Sequence, residues 1–142
     1  MEPKITVMLI MARERRLSLL ETLESCAIDV LPVCDCNEAR RMLEIQLQVQ
    51  VVLTDRALPD GDWRAVLEIA AQQGRANVQV VVCSRQGDHT LVMDVLEQGA
   101  YDVLVEPYPR DEIRRVLEAA AARSYTRSHQ ATSKLKAFRA AV

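Results

Sequence analysis

Glycine and proline are scarce in this sequence, at four and five of 142 residues. That excludes a collagen-like repeat and argues against a disordered chain. Aromatic residues are few as well, with one Phe, one Trp and three Tyr. No apolar run approaches the roughly 18 residues a membrane-spanning helix needs. The apolar run at residues 5–10 is too short for a signal peptide, and no small-residue cleavage site follows it. A cytoplasmic location with no membrane contact is therefore expected. The four cysteines, Cys26, Cys34, Cys36 and Cys83, contain no CxxC pair, and Cys34-x-Cys36 has the wrong spacing for a zinc knuckle. Reduced thiols are expected, and Cys83, inside an apolar run, reads as a small core residue. There is no glycine-rich phosphate loop. His89 and His129 have no partner in a nucleophile–base pattern and read as surface residues.

What is present is an ordinary globular composition, 49% apolar and 27% charged. The length suits one domain that needs no metal or disulfide staple. The net charge of −2 hides an asymmetry. Residues 1–122 carry 13 basic and 20 acidic residues, whereas residues 123–142 carry Arg123, Arg127, Lys134, Lys136 and Arg139 with no acid. Charges so scattered read as a solvated segment rather than a nucleic-acid contact.

Short β-branched runs alternate with longer helical patterns. Strands are expected at residues 5–10, 51–53, 78–83 and 102–105, with a weaker one at 28–33 whose Pro32 suits a sheet edge. The runs are continuously apolar rather than alternating, as in strands buried on both faces of a parallel sheet. Helices are expected at residues 15–25, with Leu17, Leu20 and Leu23 on one face and Leu19 beside them, and at 37–46 with Asn37 as N-cap. Three more are expected at 62–73, 88–98 and 110–123. Gly74 and Gly99 follow two of them as stops. Five β-α repeats with short connections specify a right-handed, doubly wound α/β sheet with helices on both faces. Sites in such sheets lie outside the carboxyl ends of the strands. Residues 124–142 read as a basic, Ser/Thr-rich linker or an extension of the last helix.

The residues at those strand ends are Asp55, after Val51-Val52-Leu53-Thr54 and before Leu58-Pro59-Asp60-Gly61; Ser84; and Glu106-Pro107, preceded by Gly99-Ala100. Through these five elements, over roughly residues 4–123, the sequence resembles the receiver domain of bacterial two-component response regulators. The resemblance implies a flavodoxin-like fold with five parallel strands in the order 2-1-3-4-5. It implies that Asp55 is the phosphoacceptor for a histidine kinase. It also implies that the Ser84 hydroxyl contacts the phosphate and shifts a helix–strand face.

Four positions depart from the family pattern. Met11 and Ala12 stand where two acids would bind Mg²⁺, and neither offers the oxygen a hard cation needs. Glu106 replaces the lysine that pairs with the phosphoryl group. Val103 replaces the switch aromatic, with Tyr101 two residues earlier on the same face by strand period. Phosphoryl transfer depends on cations offsetting oxygen charge, and a phosphoaspartate beside Glu106 would meet like-charge repulsion. Arg13 or Arg56 could fill the cation position beside Asp55 and Glu106 by bidentate bonding. Glu14, read as a loop residue, is a weaker substitute metal ligand. Trp63 reads as helix-start packing.

These residues lead to an atypical receiver module that is not an enzyme, needs no cofactor, binds Mg²⁺ weakly or not at all, and works by protein–protein association. The expected partners are a histidine kinase or other signalling protein, a second copy through the last helix–strand–helix face, or a following output domain. The alternatives are a conventional switch phosphorylated on Asp55 and, least favoured, a small α/β enzyme using Asp55 and Glu106 as an acid–base pair.

Overall fold

The structure is a computed structural model that describes residues 4–140, with side chains described to residue 127. Five strands form one parallel sheet: β1 (Thr6–Ile10), β2 (Asp29–Val33), β3 (Val51–Asp55), β6 (Gln79–Ser84) and β7 (Asp102–Val105). Two further strands, β4 (Ala57–Leu58) and β5 (Gly61–Asp62), make a two-residue antiparallel hairpin after β3. The large sheet has the order β2-β1-β3-β6-β7. Counted without the hairpin, that is 2-1-3-4-5, as the resemblance implies. Pro32 sits on the edge strand, opposite Leu9.

The helices are α1 (Arg13–Ser25), α2 (Cys36–Ile45), α3 (Trp63–Gln72), α4 (His89–Glu97) and α5 (Arg110–Ala140). Strand side chains alternate between two cores because the side-chain period is 2. Met8, Ile10, Val52, Val80 and Val82 pack with Leu43, Val66, Ile69, Leu91 and Val95 from α2, α3 and α4. Val7, Leu9, Leu53, Val81 and Leu104 pack on the other face with Leu19 and Leu23 of α1 and Ile113, Leu117 and Ala120 of α5. Gly74 (φ 68°) and Gly99 (φ 93°) end α3 and α4 in the left-handed region that glycine enters without strain.

Several boundaries differ from expectation. Helix α1 starts at Arg13, not residue 15, so Glu14 lies in its first turn and not in a loop. Its buried stripe is Leu19 and Leu23, spaced i, i+4, while Leu17 is 64% exposed. The N-cap of α2 is Asp35, whose carboxylate accepts the Glu38 N–H, and Asn37 lies within the helix. Asp62 and Asp88 cap α3 and α4 in the same way. Helix α5 continues through the Ser/Thr-rich segment to Ala140, and Ser124 is still buried against the body.

Candidate functional site

The parallel sheet gathers the carboxyl ends of β1, β3, β6 and β7 at one edge. Asp55 ends β3 and pairs in register with Cys83, one residue before Ser84. Ser84 pairs with Val105, immediately before Glu106, and its carbonyl accepts the Glu106 N–H at 3.0 Å. Asp55, Ser84 and Glu106 therefore meet at this edge. Asp55 is buried, with 8% of its side chain exposed.

The cation beside them is Arg15, in the first turn of α1. Its Nη1 lies 3.2 Å from Asp55 Oδ2 and its Nη2 lies 3.4 Å from Glu106 Oε1. One guanidinium thus bridges the ends of two strands. This corrects the expectation for Arg13 and Arg56. Arg13 is exposed and forms no ion pair among the described residues. Arg56 contributes its backbone, whose N–H donates to Asp55 Oδ1 at 3.0 Å, while its side chain is exposed. The geometric reason is the early start of α1. With Arg13 as the first helical residue, Arg15 is the one that turns toward β3 and β7.

Both oxygens of Asp55 are therefore engaged. Burial pushes its carboxyl above the ordinary value, and Arg15, the Arg56 N–H and Arg85 pull it part of the way back. The Ser84 hydroxyl is also occupied: it donates to the Gln86 carbonyl at 2.9 Å and accepts the Gln86 N–H at 3.3 Å. A cavity of about 300 Å³ opens over these groups, lined by Arg15, Asp55, Arg56, Ser84, Arg85 and Gln86. Tyr108, which the motifs do not mark, packs against the α1/α5 core beneath this edge. Its hydroxyl is buried with no hydrogen-bond partner among the described residues, and burial raises its pKa.

The donors here do not suit a divalent cation. Met11 is fully buried in the α1/α5 core, and Ala12 brings no oxygen in its side chain. Among the described residues, no group of three or more His, Cys, Asp or Glu is placed to hold a metal. Glu14 points into solvent from α1.

The other residues marked by the sequence lie elsewhere. Trp63 is buried at the start of α3, with the Arg64 guanidinium 4.7 Å over its ring. Arg64 also pairs with Asp62 and with Asp94 of α4. His89 is exposed at the start of α4, and the side chain of His129 lies outside the described residues. Tyr101 and Val103 do not share a face. Tyr101 packs on the α1/α5 side and Val103 on the other, because Tyr101 precedes the first paired residue of β7. Asp60, which the motif carries without a role, reaches from the β4–β5 turn to the start of α2. Its Oδ1 accepts the Cys36 N–H at 2.8 Å and its Oδ2 the Asn37 N–H at 3.0 Å.

A family model of the response regulator receiver domain matches residues 12–118. The chain belongs to that family. Among similar proteins, chemotaxis protein CheY of Listeria monocytogenes is 31% identical over 77 residues, which cover 54% of this chain and 63% of that protein. The two-component response regulator-like APRR3 of Arabidopsis thaliana is 29% identical over 108 residues, covering 75% of this chain and 22% of that one. The receiver domain thus spans less than two thirds of the length of these relatives. In structure it is similar to the receiver domain of sensor histidine kinase PA1611 from Pseudomonas aeruginosa, described with a magnesium ion coordinated in the active site cleft. The TM-score is 0.72 at 25% identity, over 84% of this chain and 99% of that one. A putative response regulator from Chloroflexus aurantiacus shares the fold, with a TM-score of 0.76 at 19% identity over 84% of this chain and 99% of that one. A receiver domain is a signalling module of two-component systems, and no described helix here is long and apolar enough to cross a membrane.

Proposed function

We propose that this receiver domain signals in the cytoplasm by protein–protein association, with weak or no Mg²⁺-dependent phosphorylation of Asp55, and that it is not an enzyme. The observation that carries this reading is the Arg15 bridge to Asp55 and Glu106. Attack on phosphorus needs cations to offset the charge on the phosphoryl oxygens, and here the guanidinium beside Asp55 is already shared with Glu106. Magnesium would need oxygen donors where Met11 and Ala12 stand. The bridge holds the ends of β3 and β7 in one arrangement, so association does not wait for phosphate. The partner surface includes Met93 and Leu96, exposed on α4. It suits a histidine kinase or other signalling protein, a second copy, or an output domain.

The conventional reading, with Asp55 as phosphoacceptor and Ser84 as phosphate contact, has one observation in its favour. Arg56 and Arg85 line the cavity over Asp55 and supply positive charge. Incubating the protein with acetyl phosphate, with and without Mg²⁺, and measuring its intact mass separates the two readings. The proposed reading expects at most a small, substoichiometric phosphoryl increment on Asp55 in either condition. A stoichiometric, Mg²⁺-dependent increment that Asp55→Asn abolishes would establish the conventional switch.

A further inference from the structure

Helix α1 has an outer face that its packing does not use. Its buried residues are Leu19 and Leu23. On the opposite side, Glu14, Leu17, Glu21 and Glu24 fall within an arc of about 80° at 3.6 residues per turn. All four are exposed, and Arg13 stands at one edge of the face. None of the ion pairs among the described residues includes Glu14, Glu21 or Glu24. A leucine among unpaired acids is complementary to a basic segment with an apolar stripe.

The far end of the chain has that pattern. Residues 123–142 carry five basic residues and no acid, and α5 is helical to Ala140. Ala131, Leu135 and Phe138 stand about five turns after Ile113, Leu117 and Ala120. Those earlier three are the residues by which α5 packs on the sheet. The stripe therefore continues the sheet-facing side of α5 past Ser124. Arg127, Lys134 and Arg139 fall within about 80° of its centre.

Within one copy the two faces do not meet. Helices α1 and α5 bury their stripes in the same core, so the tail stripe lies on the sheet side of α5 while the acidic face of α1 lies away from the sheet. Two tails do not suit each other either, because like charges would be juxtaposed. We propose that residues 127–139 of α5 dock on the outer face of α1 in a second copy of this chain. Leu135 and Phe138 meet Leu17, and the flanking basic residues meet Glu14, Glu21 and Glu24. Each copy gives one tail and accepts one, which closes a two-fold dimer. This seats the second copy on α1 rather than on the Met93–Leu96 face of α4, and it stands whether or not Asp55 accepts phosphate.

The test is sedimentation velocity of the whole chain over a concentration series, at about 0.05 M and about 0.5 M salt, because exposed charge pairs are screened by salt. A monomer–dimer equilibrium that high salt weakens is expected. Glu21→Lys/Glu24→Lys and, separately, Lys134→Glu/Arg139→Glu should each weaken the dimer on the order of tenfold or more, with circular dichroism showing both variants folded. An equimolar mixture of the two variants should associate again, since each tail then meets an α1 face of opposite charge. A monomer under every condition overturns the proposal, including one whose tail instead binds anionic vesicles or duplex DNA. So does a dimer that both charge reversals leave intact and Met93→Asp/Leu96→Asp disrupts, or a mixture that fails to associate. No phosphodonor is present, so the outcome is separate from that of the acetyl phosphate experiment.

Discussion

Asp60 caps a helix that begins 24 residues before it, its Oδ1 accepting the Cys36 N–H at 2.8 Å. Asp35 serves the same helix from inside the N-cap position. Two carboxylates thus satisfy the Cys36, Asn37 and Glu38 N–H groups at the start of α2, where the helix dipole favours negative charge. The contact fastens the loop after β3, next to the site, to the start of α2.

Replacing Asp60 by Ala should destabilise the fold by about 1 kcal/mol, the usual cost of a lost cap. Partial burial pushes the Asp60 carboxyl up, but the Cys36 and Asn37 N–H groups hold it below its ordinary value. Its stabilisation is therefore present above the unfolded carboxylate range and is lost as pH falls through the folded pKa. Urea unfolding at pH 7 and near pH 3 should show a difference between Asp60→Ala and the parent that shrinks in acid.

Asp55 has the opposite sign. Burial raises its folded pKa. As pH rises from acid, the unfolded chain loses this proton first, so the Asp55 contribution to stability falls until the folded carboxyl has also titrated. Asp55→Asn should gain stability relative to the parent at neutral pH, with the gain vanishing in acid where both states are protonated. Thermal unfolding at the two pH values measures it.

The two positions that lack acids are not equivalent. Met11 is fully buried in the α1/α5 core, whereas Ala12 is partly exposed at the start of α1. Met11→Asp buries a carboxylate among apolar side chains and should cost roughly 3 kcal/mol or more. Ala12→Asp should be tolerated and should give weak Mg²⁺ binding with Asp55. Isothermal titration with Mg²⁺ should register heat for Ala12→Asp and none at sub-millimolar Mg²⁺ for the parent.

The cysteines should divide into two pairs. Burial, with the Asp60 charge, pushes the Cys36 thiol up to about 11. Burial, with the Asp55 charge, pushes Cys83 up to about 12. Cys26 and Cys34 are only half-buried. The thiolate is the reactive form, so Ellman's reagent at pH 8 should label Cys26 and Cys34 first. Cys36 and Cys83 should follow only on unfolding. Labelling of all four thiols in one phase would contradict this arrangement.

The sheet was legible because its strands are continuous apolar runs, and alternation with helices leaves few parallel topologies. The placement of Asp55, Ser84 and Glu106 at one sheet edge was legible because each ends or directly follows such a run. Arg15 was not, because α1 begins without a side-chain cap: its N-cap is Ala12, and no Ser, Thr, Asp or Asn marks the start. Pattern alone therefore leaves Arg13 in the loop after β1 and gives Arg15 no mark. Asp60 was missed because its partners lie across the fold and no local pattern records them. Tyr108 was missed because a lone aromatic after a proline carries no periodic signal.

Helix α5 leaves its last described buried residue, Ser124, and runs on to Ala140. At 1.5 Å per residue, the helix from Ser124 to Ala140 is about 24 Å long. Its base packs beside Leu104 of β7, the strand that ends at Glu106. A tilt of about 10° at that seat would sweep the far end through about 4 Å, from the same geometry. Any change of tilt where α5 packs beside β7 is thus enlarged by the length of the helix alone.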